Sequence, residues 1–181
     1  MKKFLKLTII SKLLFRIMEA TSFALVDAAV WGGYVFNGKI EGSDNSDTKG
    51  GQYGLKAHYN TSLMPLLELG VGAYYQYSKL TQDITSSDDD FTKQSLGLDG
   101  NLILGLPVIH PYLRGTYCLW DKIEAGNVSD TEKFKGYGFG AGVEVTVFPF
   151  FRLFGEYMYE YSDHDAYFKS QSINLGLKFD L

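Results

Sequence analysis

Ser172-Ile173-Asn174-Leu175-Gly176-Leu177-Lys178-Phe179-Asp180-Leu181 closes the sequence. Ile173, Leu175, Leu177, Phe179 and Leu181 alternate with Ser172, Asn174, Gly176, Lys178 and Asp180. This is the period-2 pattern of a strand with one apolar face. A soluble protein seldom ends on a strand this apolar, so the rest of the sequence has to supply either a second layer or a non-aqueous solvent.

The same alternation recurs upstream. From Ala28 onward the chain divides into eight segments, each phased by its own apolar residues. The first carries Val30, Tyr34, Phe36 and Ile40, with Trp31 ambiguous beside Gly32 and Gly33. Later ones set Leu69, Val71 and Ala73 against Glu68, Gly70 and Gly72, or Leu113, Tyr117 and Leu119 against Tyr112, Arg114, Thr116, Cys118 and Trp120. Brief turns holding Pro65, Pro107 with Pro111, and Pro149 follow the second, fourth and sixth segments. Polar stretches such as Glu41 to Lys49, Thr81 to Thr92 and Asp121 to Lys133 follow the odd ones and read as long loops. Even strand number with long loops at one end and tight turns at the other is the asymmetry of outer-membrane barrels. Strands of about 10 to 14 residues suffice to cross a ~25 Å apolar band when tilted.

Composition bounds the alternatives. The 181 residues contain 20 glycines, 13 tyrosines and 13 phenylalanines, which favours strands and interfacial aromatics. Mean hydropathy is near zero and no run reaches the ~18 apolar residues of a spanning helix, so any membrane crossing is by strands. The single cysteine, Cys118, excludes an internal disulfide and a CxxC metal or redox motif. Residues 1–24 hold five bases and one acid, leaving twelve bases and twenty acids, or a net of -8, for residues 25–181. An acidic chain argues against nucleic acid as a partner. Residues 1–24 run from Met1-Lys2-Lys3 through an apolar stretch to Ser22-Phe23-Ala24, a small-x-small cleavage pattern, and read as a signal peptide preceding a barrel domain over 25–181. Lys12, Arg16 and Glu19 also permit a short amphipathic helix.

The side on which the charges lie decides the solvent. Lys39, Lys56, Glu68, Asp99, Arg114, Glu144, Arg152, Glu156, Glu160, Lys178 and Asp180 all carry the parity opposite to the apolar set. The apolar face stays free of charge until the loop-end rim, where Lys79, Asp121 and Lys135 are expected to reach the interface. A soluble lipocalin-like ligand carrier would mix charge into its outer face, because large contiguous apolar patches are rare on soluble proteins. Outward tyrosines at the loop end (Tyr53, Tyr75, Tyr77, Tyr137, Tyr157, Tyr159, Tyr161), with Tyr59 and Phe179 at the turn end, fit two interfacial girdles. The predicted fold is an all-β, eight-stranded, antiparallel, up-and-down transmembrane barrel with its charges inside.

Eight strands enclose a lumen that side chains fill, so charges there must interlock. The predicted network comprises Lys56, Glu68, Asp99, Arg114, Glu144, Arg152, Glu156 and Lys178, with His58 nearby and Arg114 bonded to one or more of Glu68, Glu144 and Glu156. Gly70, Gly72, Gly97, Gly138, Gly140, Gly142 and Gly176 are expected to give the long ionic side chains room.

Candidate chemistry is sparse. Gly138-x-Gly140-x-Gly142 is followed by more strand and so does not make a phosphate loop. His58, His110 and His164 are scattered, without metal-ligand spacing. His164 with Ser162, Asp163 or Asp165 is the one constellation that a lipid A modifying hydrolase could use. Asp88-Asp89-Asp90 reads as an acidic loop tip rather than a calcium site. Asn60-Thr61-Ser62 and Asn127-Val128-Ser129 match glycosylation sequons. No catalytic, cofactor or metal residue is assigned.

Asn174, Gly176, Phe179 and Leu181 fit the spacing polar-x-Gly-x-x-apolar-x-apolar, which resembles the C-terminal β-signal of bacterial outer-membrane barrels. Together with the Gly136 to Val147 strand, this makes Ala28 to Leu181 resemble the small outer-membrane β-barrel superfamily of the OmpA transmembrane domain, OmpX, OmpW and the opacity-type proteins. The resemblance implies an integral bacterial outer-membrane protein with exterior loops, in contact with outer-membrane lipid and with the barrel-assembly machinery through its last strand. It further implies a monomeric, non-enzymatic barrel whose acidic loops serve adhesion or envelope interaction. The alternative is a narrow porin-like channel for small solutes.

Overall fold

A computed structural model describes residues 26–41, 46–84, 87–125, 128–163 and 167–181. Residues 1–24, read from the sequence as a signal peptide, lie outside the described residues. Eight strands follow one another: β1 (Val26–Glu41), β2 (Ser46–Met64), β3 (Leu67–Ile84), β4 (Ser87–Leu104), β5 (Ile109–Ala125), β6 (Val128–Phe148), β7 (Phe151–Asp163) and β8 (Tyr167–Asp180). Each pairs antiparallel with its successor and β8 returns to β1, closing a barrel. Closure removes every edge from the membrane-crossing wall, which matters because hydrocarbon offers no hydrogen bonds to an unpaired backbone.

The described residues of the polar stretches read as long loops are instead strand. β3 and β4 stay paired to Ile84↔Ser87, and β5 and β6 to Ala125↔Val128. Asp88 to Asp90 therefore belong to β4, not to a loop tip. Where both faces meet water, alternation disappears from the sequence while the backbone ladder persists. At 21 residues β6 spans roughly 70 Å, against the 9–11 residues that a tilted strand needs to cross, so the hairpins project well beyond the bilayer. At the other end the turns are tight. Leu66, after Pro65, takes φ 70°, and its carbonyl accepts from the Gly105 amide at 2.8 Å.

Two bulges reverse the expected parity near the loop end. The register shift between Val35 and Gly38 inserts Phe36, turning Gly38 inward and Lys39 outward, so Lys39 is an exposed residue rather than a lumen charge. The shift between Cys118 and Trp120 places Trp120 beside outward Leu96 and turns Asp121 into the lumen, where it is 2% exposed. Both Trp120, read as inward, and Asp121, read as interfacial, are corrected by that one inserted residue. Lys79 is exposed at the rim as expected, and the Lys135 side chain lies outside the described residues.

His110 and Pro111, placed in a turn by the spacing of prolines, lie in β5. β4–β5 pairing ends at Ile103↔Tyr112, so the missing N–H of Pro111 interrupts no bond there. The gap leaves a shallow apolar groove of about 360 Å³ in the outer wall, lined by Leu102, Leu104, Pro111 and Leu113 among others.

The wall itself is apolar: Val30, Leu55, Val71, Leu98, Leu113, Phe139, Val143, Ile173 and Leu175 are among its exposed residues. The interior is the reverse, with Asp27, Glu68, Asp99, Arg114, Glu144, Glu156 and Lys178 all buried.

Candidate functional site

Every inward position on one strand faces inward neighbours on the next, so the register stacks the lumen into tiers. In the turn-end tier Lys178 Nζ contacts Asp27 Oδ2 at 2.9 Å and Glu144 Oε1 at 3.1 Å. Arg152 bridges Glu144 at 3.0 Å and Asp180 at 2.9 Å. His110 Nε2 meets Thr146 Oγ1 at 2.8 Å beside them.

Asp27 leads into the middle tier. Its Oδ1 meets His58 Nδ1 at 2.8 Å, and His58 Nε2 lies 3.4 Å from Asp99. Arg114 donates to Asp99 through Nε and Nη2, at 2.9 and 2.6 Å to Oδ2, and through Nη1 to Glu156 at 2.5 Å. Glu156 also accepts from Lys56 at 3.3 Å, Tyr112 at 2.8 Å and Asn174 at 3.2 Å. Asn174 continues upward by accepting from Gln52 at 2.8 Å, and Gln76 joins Gln52 to Glu160. An unbroken chain of polar contacts thus runs from Asp180 to Glu160.

The partners of Arg114 differ in part from those expected. Glu156 is one of them, but Glu68 and Glu144 are not, and Asp99 takes their place. The register explains this. Arg114 sits opposite Asn101, with Asp99 on the diagonal, whereas Glu144 lies opposite His110, four residues nearer the turns. Glu68 is 1% exposed and its Oε2 has no hydrogen-bond partner. Among the predicted network residues it is the one placed apart from the ion pairs.

Sequence reading missed Asp27, one residue before the first phased segment, and Lys93, between the polar stretch ending at Thr92 and the fourth segment. Lys93 lies 3.5 Å from Asp121, which also accepts from Ser95 at 2.8 Å and Ser162 at 2.7 Å. Ser162 is thereby turned into the lumen, while His164 and Asp165 lie outside the described residues, as does Asn127. Asn60 is also inside, donating to Asp27 at 2.8 Å, so the first sequon points away from any glycosylation machinery.

Apolar tiers complete the filling. Trp31, Ile103, Tyr112, Phe154 and Ala29 form a buried cluster at mid-height, and Val35, Leu80, Phe91 and Phe168, backed by Ile123, form another near the loop end. The inward glycines serve the first cluster more than the ionic chains. Gly54 faces Trp31 across the ladder, Gly176 faces Phe154, Gly97 faces Tyr74, and Gly142 faces Tyr112. Each aromatic lies over a neighbouring strand where a Cβ would collide.

An eight-stranded closed barrel with hydrocarbon side chains on its wall and ions locked within it is an integral membrane barrel. The family model for the outer membrane protein beta-barrel domain matches residues 18–180. The chain belongs to that family and is an integral outer-membrane protein. No curated protein sequence matches it. Among solved structures it is similar to Neisserial surface protein A, with 18% identity and a TM-score of 0.65 over 86% of this chain and 97% of that one. It is also similar to Ail, the attachment invasion locus protein of Yersinia pestis, with 17% identity and a TM-score of 0.45 over 84% and 98%. The N-terminal β-barrel domain of Pseudomonas aeruginosa OprF gives 16% and 0.44 over 85% and 96%. Likeness at this identity concerns the fold alone.

Proposed function

We propose that this protein works as a plugged, monomeric, non-enzymatic outer-membrane barrel whose projecting hairpins make adhesive or envelope contacts. The filled lumen supports this reading. Ion pairs run through its length, and the Val35, Leu80, Phe91 and Phe168 tier lies across the loop end. Opening a path for solutes would require separating buried partners and leaving charges uncompensated, a cost of several kcal/mol. With the interior committed to structure, the surface left for recognition is the polar hairpin ends, which extend beyond what crossing demands.

The last strand is assigned the assembly signal: Asn174 turns inward to Glu156, while Phe179 and Leu181 face outward where insertion machinery would meet them.

Planar-bilayer recording on protein whose folding is verified by heat-modifiable gel mobility tests the plugged state. Electrical silence is expected, and stable unitary openings would instead favour the narrow channel. The adhesive role is tested by comparing cells displaying the full chain with cells displaying a β3–β4 hairpin shortened above Lys79. Equal attachment to host cells or matrix would remove that role from this hairpin.

A further inference from the structure

His58 of β2 spans four strands of the wall from the inside. The register sets Asp27 of β1 directly opposite it on one side, and on the other it runs from His58 to Gly72 of β3 and on to Asp99 of β4. Gly70 and Gly72 leave β3 without a side chain at this height, so the buried ring reaches across it. Its Nδ1 lies 2.8 Å from Asp27 Oδ1 and its Nε2 lies 3.4 Å from Asp99 Oδ1. Asn101 of β4 stands beside it with Nδ2 3.1 Å from Nε2, while its own buried Oδ1 has no hydrogen-bond partner.

A neutral ring cannot serve both aspartates. With its proton on Nδ1 it turns the bare Nε2 toward the Asp99 carboxylate and strands the Asn101 oxygen; with its proton on Nε2 it turns the bare Nδ1 toward Asp27. An imidazolium donates in both directions, and rotating the Asn101 amide by half a turn gives its oxygen the Nε2 proton as well. Charge counting agrees. Among the described residues, the ion pairs of the turn-end and middle tiers hold five carboxylates, those of Asp27, Asp99, Glu144, Glu156 and Asp180, against the four cations Lys56, Arg114, Arg152 and Lys178. Glu68 of β3 and Glu160 of β7 stand outside these pairs and, when ionised, only enlarge the deficit. An uncompensated buried charge is costly, and a charged His58 removes one.

We propose that His58 is the fifth lumen cation, an imidazolium clamped between Asp27 and Asp99 that locks β1, β2 and β4 together and can be released by losing its proton. No neighbouring cation replaces it. Lys56, two residues along β2, is held by Glu156 of β7; Arg114 of β5 by Asp99 and Glu156; Lys178 of β8 by Asp27 and by Glu144 of β6. Histidine is also the side chain of this set that titrates near neutrality, so the lock holds while the ring is charged and is lost as rising pH discharges it.

The test uses the full chain folded in detergent micelles, with folding verified by gel mobility. In H110Q/H164Q, His58 is the one histidine left. Ring-nitrogen NMR of that variant at about pH 8, where an ordinary histidine is neutral, should show both nitrogens of His58 protonated. One bare nitrogen would overturn the proposal. Urea midpoints supply a second reading through the sign of an effect. H58Q should lower the midpoint, and adding D27N to it should raise the midpoint again, because carboxylates and cations in the pairs then balance. Were His58 neutral, D27N would take a partner from Lys178 with no compensating gain, so a midpoint of H58Q/D27N at or below that of H58Q would overturn the lock. Raising the pH from neutral into the alkaline range should lower the wild-type midpoint relative to H58Q/D27N. Midpoints that move in parallel would overturn the release by proton loss.

Discussion

Lys178 Nζ lies 2.9 Å from Asp27 Oδ2, joining the last strand to the first inside the lumen, near the start of β1 and the end of β8. Their strands are already paired through Ala29↔Lys178 and Asp27↔Asp180, so the ion pair reinforces the seam that closes the barrel. The same ammonium contacts Glu144 on β6, so one cation neutralises carboxylates from two directions.

Replacing Lys178 by Met keeps the volume and removes the charge, leaving Asp27 and Glu144 short of a partner in a buried setting. A loss of about 3–5 kcal/mol in unfolding free energy is expected, because breaking a buried pair strands its counter-ion. Lys79→Met, which breaks an exposed pair, should leave the urea midpoint essentially unchanged. Gel mobility across a urea series in detergent measures both, and equal midpoints for the two variants would remove Lys178 from the seam.

Glycine in the lumen is tested at Gly176. A Cβ there would stand 2.4 Å from the Phe154 ring and 2.5 Å from the Val30 carbonyl, and the backbone oxygen cannot yield. Gly176→Ala should cost about 1–3 kcal/mol through overpacking. Gly115, whose added Cβ meets nothing within 4 Å, is the control. Gly115→Ala should be neutral or slightly stabilising, since glycine weakens strands. If both alanines behave alike in the same urea series, the aromatic–glycine packing does not constrain the barrel.

At the β2–β3 turn, Leu66 holds φ 70° directly after Pro65, the position where a type II turn favours glycine. Leu66→Gly relieves a strain of roughly 1 kcal/mol while giving up some unfolded-state restriction, so stability should hold or rise slightly. Leu66→Val, β-branched at positive φ, should fall below wild type. The order glycine at or above leucine, leucine above valine, is the readout, and a reversed order would mean that the turn relaxes to another conformation.

Much of this fold was legible because lipid imposes a strict rule on the wall: between the rims, apolar parity alone phased the strands, and Asp99, Arg114, Glu144, Glu156 and Lys178 fall inside as that parity requires. The rule lapses where lipid ends. Above the rim both faces are polar, so strand looked like loop, and Lys93, directly after that stretch, was left unphased. The bulges at Phe36 and Leu119 carry no compositional mark. They moved Lys39 out, Trp120 out and Asp121 in, although each residue type was compatible with either side. Ion-pair partners were legible only to the level of the tier, because the stagger between strands decides that Arg114 meets Asp99 rather than Glu144.

The bulge at Leu119 can be read optically, because the protein has two tryptophans on opposite sides of one wall. Trp31 is 5% exposed among Ile103, Tyr112 and Phe154 inside the barrel. Trp120 pairs with outward Leu96, beside Tyr75 on the next strand, and so stands among the aromatics that meet the membrane interface. In vesicles containing lipids brominated near the headgroup end of the acyl chain, Trp31→Phe, which retains only Trp120, should be strongly quenched. Trp120→Phe, which retains only Trp31, should lose little intensity, because the wall excludes the bromines from the lumen. Parity uninterrupted by a bulge would put Trp120 inside as well and leave both variants unquenched. Strong quenching of Trp31 would mean that the first strand is phased the other way, and the lumen assignment of Asp27, which shares its parity, would fall with it.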